Sequence, residues 1–330
     1  MKSLPHYWYS SNKIVWLLLP LSWLYCSVVT VRRWLYKINW KKSFTADRPI
    51  VVIGNIVAGG SGKTPLLIAV CKYIKAKGFS PGVVSRGYGG TLSGIKQIEA
   101  NDSADLVGDE PLMISRATDV PVVVGADRAG AVKELLSRNE CDIVFTDDGL
   151  QHYRMARDIE IAVIDDQRMF GNGYCLPAGP LREPVSRLQE TDLLVYSNVM
   201  KQSSEQCSYQ LKMVGVRRLD SADVLPIESL AGKTVHAVAG IGHPERFFAT
   251  LRTADITMIE HAFDDHHRYD VEDFSGWQHD CIIMTEKDAV KCSGFDLSDA
   301  WVLLVEAQLS SVLIEQLDKK LMPLLKSGAS

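Results

Sequence analysis

The amino-acid sequence predicts an α/β protein: a parallel sheet flanked by helices, a second and smaller α/β unit, and an N-terminal membrane-associated helix. Three observations predict it. Short β-branched runs alternate with helical stretches from Arg48 onward, a glycine-rich turn follows the first of these runs, and an uncharged apolar segment precedes them all. Composition agrees, because 330 residues that are 46% hydrophobic and 23% charged can bury a substantial core. With 36 basic against 40 acidic residues the chain lacks the basic excess of a duplex-wrapping protein, so nucleic acid is not an expected partner. The seven cysteines are scattered and never spaced C-x-x-C, which excludes a disulfide framework and a zinc site and fits a reducing compartment.

Residues 1–45 carry Lys2, Lys13, Arg32, Arg33, Lys37, Lys41 and Lys42 and no acid. Between Lys13 and Arg32 lie eighteen uncharged residues. As a helix these measure roughly 27 Å, close to the ~30 Å of bilayer hydrocarbon. Pro20 is expected to kink the helix, while Trp16, Trp23 and Tyr25 are aromatics suited to the headgroup level. The cationic flank after it places the rest of the chain on the cytoplasmic side. A cleaved signal peptide fits poorly, because VRRWLYK rather than a small-residue site follows the apolar run. A soluble helix packed on the core is the competing reading, although such helices seldom run eighteen residues without a charge; for a membrane helix, spanning and lying in the interface both remain open.

Strands are expected at 49–54, 82–85, 120–125, 142–147, 160–165 and 192–197, with helices at Pro65–Lys77, Glu110–Ala117 and Arg128–Arg138 between them. This gives a core domain over 46–200. Residues 201–230 are polar, hold one expected strand near Tyr209–Val214 and read as a connector. A second α/β series over 231–330 follows, with strands at 234–240, 255–260, 281–285 and 301–306 and a last helix at Leu309–Leu325.

The strand PIVVIG runs into NIVAGGSGKTP, placing Gly59, Gly60, Ser61, Gly62, Lys63, Thr64 and Pro65 between a strand and a helix. That is the context of a phosphate-binding loop. Its glycines let backbone N–H groups curl around a polyphosphate, Lys63 reaches the outer phosphates and the Thr64 hydroxyl can ligate magnesium. The chain is therefore expected to carry a P-loop NTPase-type domain. Val57 stands where the general pattern has its first glycine; the crowded GGSGKT resembles the deviant P-loop ATPases, whose signature lysine is replaced here by Ala58. Asp147 and Asp148 end a hydrophobic strand, the usual place for magnesium-holding acids, although Asp148-Gly149 also suits a plain turn. Asp109-Glu110 reads either as a helix cap or as a catalytic acid pair.

Seven stretches together resemble the tetraacyldisaccharide 4'-kinase family of lipid A biosynthesis (LpxK): GNIVAGGSGKTP (54–65), SRGYGG (85–90), GDEP (108–111), DDGLQH (147–152), NGYCLPAGPLREP (172–184), FDDHHRY (263–269) and TEKDAVK (285–291). The resemblance covers nearly the whole chain. It implies transfer of the ATP γ-phosphoryl group to the 4'-hydroxyl of a lipid-linked tetraacyl disaccharide 1-phosphate, with Mg2+, at the cytoplasmic face of the inner membrane. By the same resemblance Asp109 is the base acting on the sugar hydroxyl. A histidine of FDDHHRY orients it, matching His266 with His267 next door, and the smaller unit closes over the site. The family's magnesium and site-organising acids match Asp147, Asp148 and Glu183, and its charge-stabilising arginine matches Arg182. Arg86, Tyr88, Arg128, Gln151 and His152 match substrate or phosphate contacts. A tetraacylated substrate stays in the bilayer because each buried CH2 contributes about 0.8 kcal/mol, which gives the N-terminal helix its purpose.

Two other readings share parts of this pattern. A membrane-associated P-loop ATPase acting as a switch or assembly factor uses the loop, the paired acids and the helix, but needs neither GDEP nor LPAGPLREP nor a donated histidine. A soluble small-molecule kinase leaves the apolar N-terminus without a role.

Overall fold

The computed structural model describes residues 7–9, 14–197, 199 and 205–327. Helix α1 (Ile14–Lys37) continues through Pro20 and precedes β1 (Ile50–Gly54), α2 (Lys63–Ala76), β2 (Pro81–Ser85) and β3 (Ile95–Gln97). The chain then forms α3 (Ala104–Val107), α4 (Asp109–Thr118), β4 (Val122–Gly125), α5 (Arg128–Arg138), β5 (Ile143–Asp147), β6 (Ile159–Asp165) and β7 (Leu193–Ser197). The rest comprises β8 (Ser208–Arg218), β9 (Val224–Leu225), β10 (Thr234–Ala239), α6 (Pro244–Thr253), β11 (Thr257–Ala262), β12 (Cys281–Thr285), α7 (Glu286–Ala289), β13 (Asp299–Leu309) and α8 (Ser311–Ser327).

One sheet runs through both halves in the order β11-β10-β12-β13-β8-β7-β6-β1-β5-β2-β4-β3, with β9 paired to β8. Strands within each half pair in parallel, apart from the antiparallel edge β3. The junction is β8, which lies inside the expected connector: it pairs in parallel with β7 and antiparallel with β13. Central strands such as β1 and β5 are buried on both faces, which is why they read as continuous apolar runs rather than alternating ones.

Leu313, Leu317, Leu321 and Leu325, four apart on α8, are fully or almost fully buried in the same core cluster as Val51, Leu66 and Phe145 of the first half. The last helix of the expected 231–330 unit thus crosses back and ties the two halves together. Helix α1 docks one face only. Val15 and Leu19 pack on Ala178, the Ser22 hydroxyl donates to the Cys175 carbonyl at 2.7 Å, and Tyr25 donates to the Arg182 carbonyl at 3.1 Å. Its other face leaves Trp16, Leu17, Leu21, Trp23, Leu24 and Val28 exposed, Leu17 at 79%.

Strand and helix expectations match the observed elements within a few residues. The sequence reading passed over α6, although Pro244 at its start and Phe247, Phe248 and Leu251 on its buried face are the signals of a helix.

Candidate active site

The phosphate-loop sequence leaves β1 at Gly54 and enters α2 at Lys63. Gly59 and Gly62 take left-handed φ values of 100° and 82°, and at Gly62 an added Cβ would lie 2.1 Å from the Tyr209 hydroxyl. The loop is clamped from behind: Tyr209 donates to the Gly62 carbonyl and Ser197 Oγ donates to the Ser61 carbonyl at 2.9 Å. No side chain caps α2, so its first N–H groups stay available for an anion. Ser61 Oγ is buried with no hydrogen-bond partner among the described residues, as a phosphate contact would require. Lys63 Nζ lies 3.4 Å from Asn55 Oδ1 and 3.7 Å from Asp148 Oδ1.

Strand β5 runs beside β1 in parallel, with Asp147 in register with Ile53, so the acids emerge next to the loop. The two neighbours differ sharply. Burial and the Glu110 charge push the Asp147 carboxyl up to about 7 against the pull of Lys63, and its Oδ1 is buried without a hydrogen-bond partner among the described residues. Burial also works to raise Asp148, but Lys63 and Arg182 overcome it and hold that carboxyl at about 2. Arg182 Nη1 binds both Asp148 oxygens at 2.7 and 3.0 Å. Asp148 and His266 are both non-glycine residues with positive φ, at 49° and 61°, strained conformations of the kind found at functional sites.

Glu183 is fully buried and engaged: it accepts from Tyr153 and, at 2.9 Å, from Gln151, and Arg187 stands 3.9 Å away. Arg128 is buried too, donating to the Asp147 carbonyl at 2.8 Å, so it braces the acid turn from beneath. His152 is half-buried, and burial together with Arg128 and Arg157 lowers its pKa to about 4, leaving it neutral at pH 7. Arg86 and Tyr88 are exposed on the 85–90 loop. That loop lies backbone-on-backbone against GDEP, where a Cβ at Gly108 would meet the Tyr88 carbonyl at 2.7 Å.

Asp109 opens α4, and its Oδ1 accepts from the Glu110 N–H at 2.8 Å. His266, from the loop after β11, places Nδ1 2.9 Å from Asp109 Oδ2. His267 points elsewhere, to Asp273 at 2.8 Å. Burial raises the Asp109 carboxyl, but the His266 hydrogen bond and Lys287 overcome this and leave it below its ordinary value. The Asp109 hydrogen bond holds His266 above its own. The second half also approaches the P-loop directly: a Cβ at Gly242 would lie 3.7 Å from the Gly60 nitrogen, and Arg246 grips Asp165 of β6 at 2.7 and 2.8 Å. Between the halves lies a cleft of about 940 Å³ lined by Lys63 and Thr64 on one side and Asp265, Lys287 and Phe247 on the other. Sequence reasoning gave no role to Arg246, Asn55, Tyr209 or Lys287; the TEKD motif was the one signal that pointed at the last.

Among the described residues no group of three or more His, Cys, Asp or Glu is placed to hold a metal. Two carboxylates and the Thr64 hydroxyl beside a phosphate loop instead suit magnesium, which keeps several waters and phosphate oxygens in its shell.

The family profile described as "LpxK: Tetraacyldisaccharide-1-P 4'-kinase" matches residues 14–322. A tetraacyldisaccharide 4'-kinase of Hahella chejuensis is 44% identical over 320 residues, covering 95% of each chain. One from Nitrosococcus oceani is 41% identical over 324 residues, covering 96% of this chain and 95% of its own. The crystal structure of LpxK from Aquifex aeolicus in complex with ATP superposes with a TM-score of 0.80 at 25% identity, covering 96% of this chain and 99% of that one. With the loop, the paired acids and the Asp109–His266 contact gathered at one cleft, these matches establish that the chain belongs to the tetraacyldisaccharide-1-P 4'-kinase family.

Proposed function

We propose that the chain transfers the γ-phosphoryl group of ATP to the 4'-hydroxyl of a tetraacyl disaccharide 1-phosphate, forming lipid IVA in lipid A biosynthesis, at the cytoplasmic face of the inner membrane. The observation that carries this reading is the Asp109–His266 pair, assembled from two halves at the P-loop cleft. A switch ATPase has no use for it. The sugar O–H bond breaks as the oxygen–phosphorus bond forms. The proton passes to the Asp109 carboxylate, the bond between the γ-phosphorus and the β,γ-bridging oxygen of ATP breaks, and ADP leaves with that bond's electron pair. Asp109 is already ionised at pH 7, so His266 contributes orientation rather than activation of a weak base. Lys63 and Arg182 neutralise charge on the transferring group, the term that dominates phosphoryl transfer.

Thr64, Asp147 and Asp148 are the residues that would hold Mg2+, and the partnerless buried Asp147 Oδ1 fits that assignment. When bound, the ion supplies positive charge to the polyphosphate. Glu183, already occupied by Gln151, Tyr153 and Arg187, organises the site, and Arg128 supports Asp147. Gln151, His152, Arg86 and Tyr88 border the acceptor side, and the smaller unit expected over 231–330, apart from α8, which packs on the first half, forms the lid side of the cleft. Transfer of ³²P from ATP to the tetraacyl disaccharide 1-phosphate in micelles tests the reading. Wild type should label the lipid and Asp109→Ala should lose at least about 10²-fold in rate; ATP hydrolysis without labelled lipid would favour the switch ATPase.

The helix that brings the enzyme to its substrate lies in the interface rather than across the bilayer. It is long and apolar enough to cross. Contacts from Val15 to Lys37, which pairs with Glu190 at 3.3 Å, nevertheless fasten it along the body for its length and leave an apolar face outward. Replacing Leu17, Leu21 and Leu24 with Ser should abolish co-flotation with anionic vesicles while ATP binding persists; unchanged flotation would refute the interfacial helix.

A further inference from the structure

Asp109 and Asp265 put two carboxylates against His266, and Glu110 follows Asp109 at the start of α4, so the imidazole alone cannot balance the acids gathered here. Lys287 stands among them. Its Nζ is 3.1 Å from Asp265 Oδ1, 3.3 Å from Glu110 Oε1, 3.4 Å from His266 Nε2 and 3.8 Å from Asp109 Oδ2. Its side chain is only 15% exposed, and an ammonium that far from water needs partners of this kind. Burial works against its charge, but Glu110, Asp109 and Asp265 prevail and keep it above the ordinary lysine range. The turn that presents it is fixed: Thr285 Oγ1 donates to Asp288 Oδ2 at 2.6 Å, and that oxygen accepts from the Gly240 N–H at 3.0 Å.

We propose that Lys287 is a positioning residue for phosphoryl transfer, holding His266 as the neutral tautomer with its Nδ1–H on Asp109 and a bare Nε2 facing the ammonium. The proposal rests on Asp109 being the proton acceptor. An ammonium offers donors only, so the ring nitrogen 3.4 Å from it must accept. A proton on Nε2 would set two cationic donors against each other. Lys287 therefore opposes protonation of His266 on one side and of Asp109 on the other. The remaining groups around the ring do not replace it. Tyr88 meets the ring edge-on with centroids 5.1 Å apart, Asp265 Oδ1 is 3.9 Å from Nε2 and favours the imidazolium, Arg268 is engaged with the Gly89 carbonyl, and His267 is turned to Asp273.

The test is kcat against pH, with the ATP KM at each point, for wild type and for Lys287→Met, Lys287→Gln, Lys287→Arg and Asp109→Ala. Without the ammonium both His266 and Asp109 take up a proton more readily, so whichever governs the acid limb of kcat, that limb moves to higher pH. Lys287→Met and Lys287→Gln should show this move, with kcat down by about 10²-fold and the ATP KM within threefold. Lys287→Arg should return the limb toward wild type. If the limb stays in place in the Met or Gln variant, or in the Gln variant alone should the Met variant not fold, the lysine is only a tie between the halves and the proposal is overturned. Full activity of Asp109→Ala would instead overturn the assignment of the base, a result separable from any shift caused by Lys287.

Discussion

The two halves of the sheet supply the cleft with different chemistry although both use the C-terminal ends of parallel strands. On the β1 side the strand ends deliver a loop of backbone N–H groups, Lys63 and the Asp147–Asp148 pair, all from two adjacent strands in register. On the β10 side the loops after β10, β11 and β12 deliver Gly242, His266 and Lys287; His266 and Lys287 meet each other within that half, but all three reach the phosphate loop or Asp109 only by crossing to the first half. The nucleotide grip is thus complete within one half, whereas acceptor activation exists only at the seam. That division is what a bisubstrate kinase needs if ATP is to be held while the lid side approaches the acceptor.

The harshest way to break this comparison is to damage the grip. Lys63→Ala removes the cation that faces Asp148 and the outer phosphates, and turnover should fall on the order of 10³-fold, with ATP affinity by calorimetry falling too. The second-half residues remain intact in that variant. Normal ATP affinity in Lys63→Ala would mean that the grip is shared across the seam and that the division of labour is wrong.

How legible each half was in the sequence follows the same division. The grip is local: Gly59 to Thr64 are six consecutive residues, and Asp147-Asp148 ends an apolar run, so motif and flanking periodicity place them without tertiary information. The seam is not local. Asp109 and His266 are 157 positions apart, and what brings them together is β8, an eleven-residue strand of which the sequence predicts only the part near Tyr209–Val214, inside a stretch read as a connector. Its central residues 210–214 are exposed or half-exposed on both faces, so alternation is weak there. His266 was placed by family resemblance with His267 next door as the alternative; the contact of His266 with Asp109, against that of His267 with Asp273, separates them. Arg246 sits on a helix that was not anticipated, and its contact with Asp165 depends on how that helix meets β6. The short β3, α3 and β9 lie below the length at which any period can be read.

The finest test of the seam reads its dependence on pH. His266 has its folded pKa raised above the unfolded value of about 6.5, so the stability it contributes is fully present below that pH and is lost as pH rises through the folded value. Asp109, held below its ordinary value, sets the other edge: its contribution is present above about 4 and is lost as pH falls through the depressed pKa. The ion pair across the seam is therefore strongest between these limits. The melting temperature of wild type minus that of His266→Asn should be largest near pH 5.5 and shrink by about 1–2 °C toward pH 8.5, a small effect because one partner is part-exposed and the chain is large. A gap that widens as pH rises would mean that the neutral pair holds the halves together more tightly than the charged one. Catalysis asks for the opposite condition from stability here: it wants the neutral imidazole that leaves Asp109 its full affinity for the sugar proton. The contact that closes the seam most firmly is thus not the one that turns over fastest, and a cleft that must also release its products has reason to be built that way.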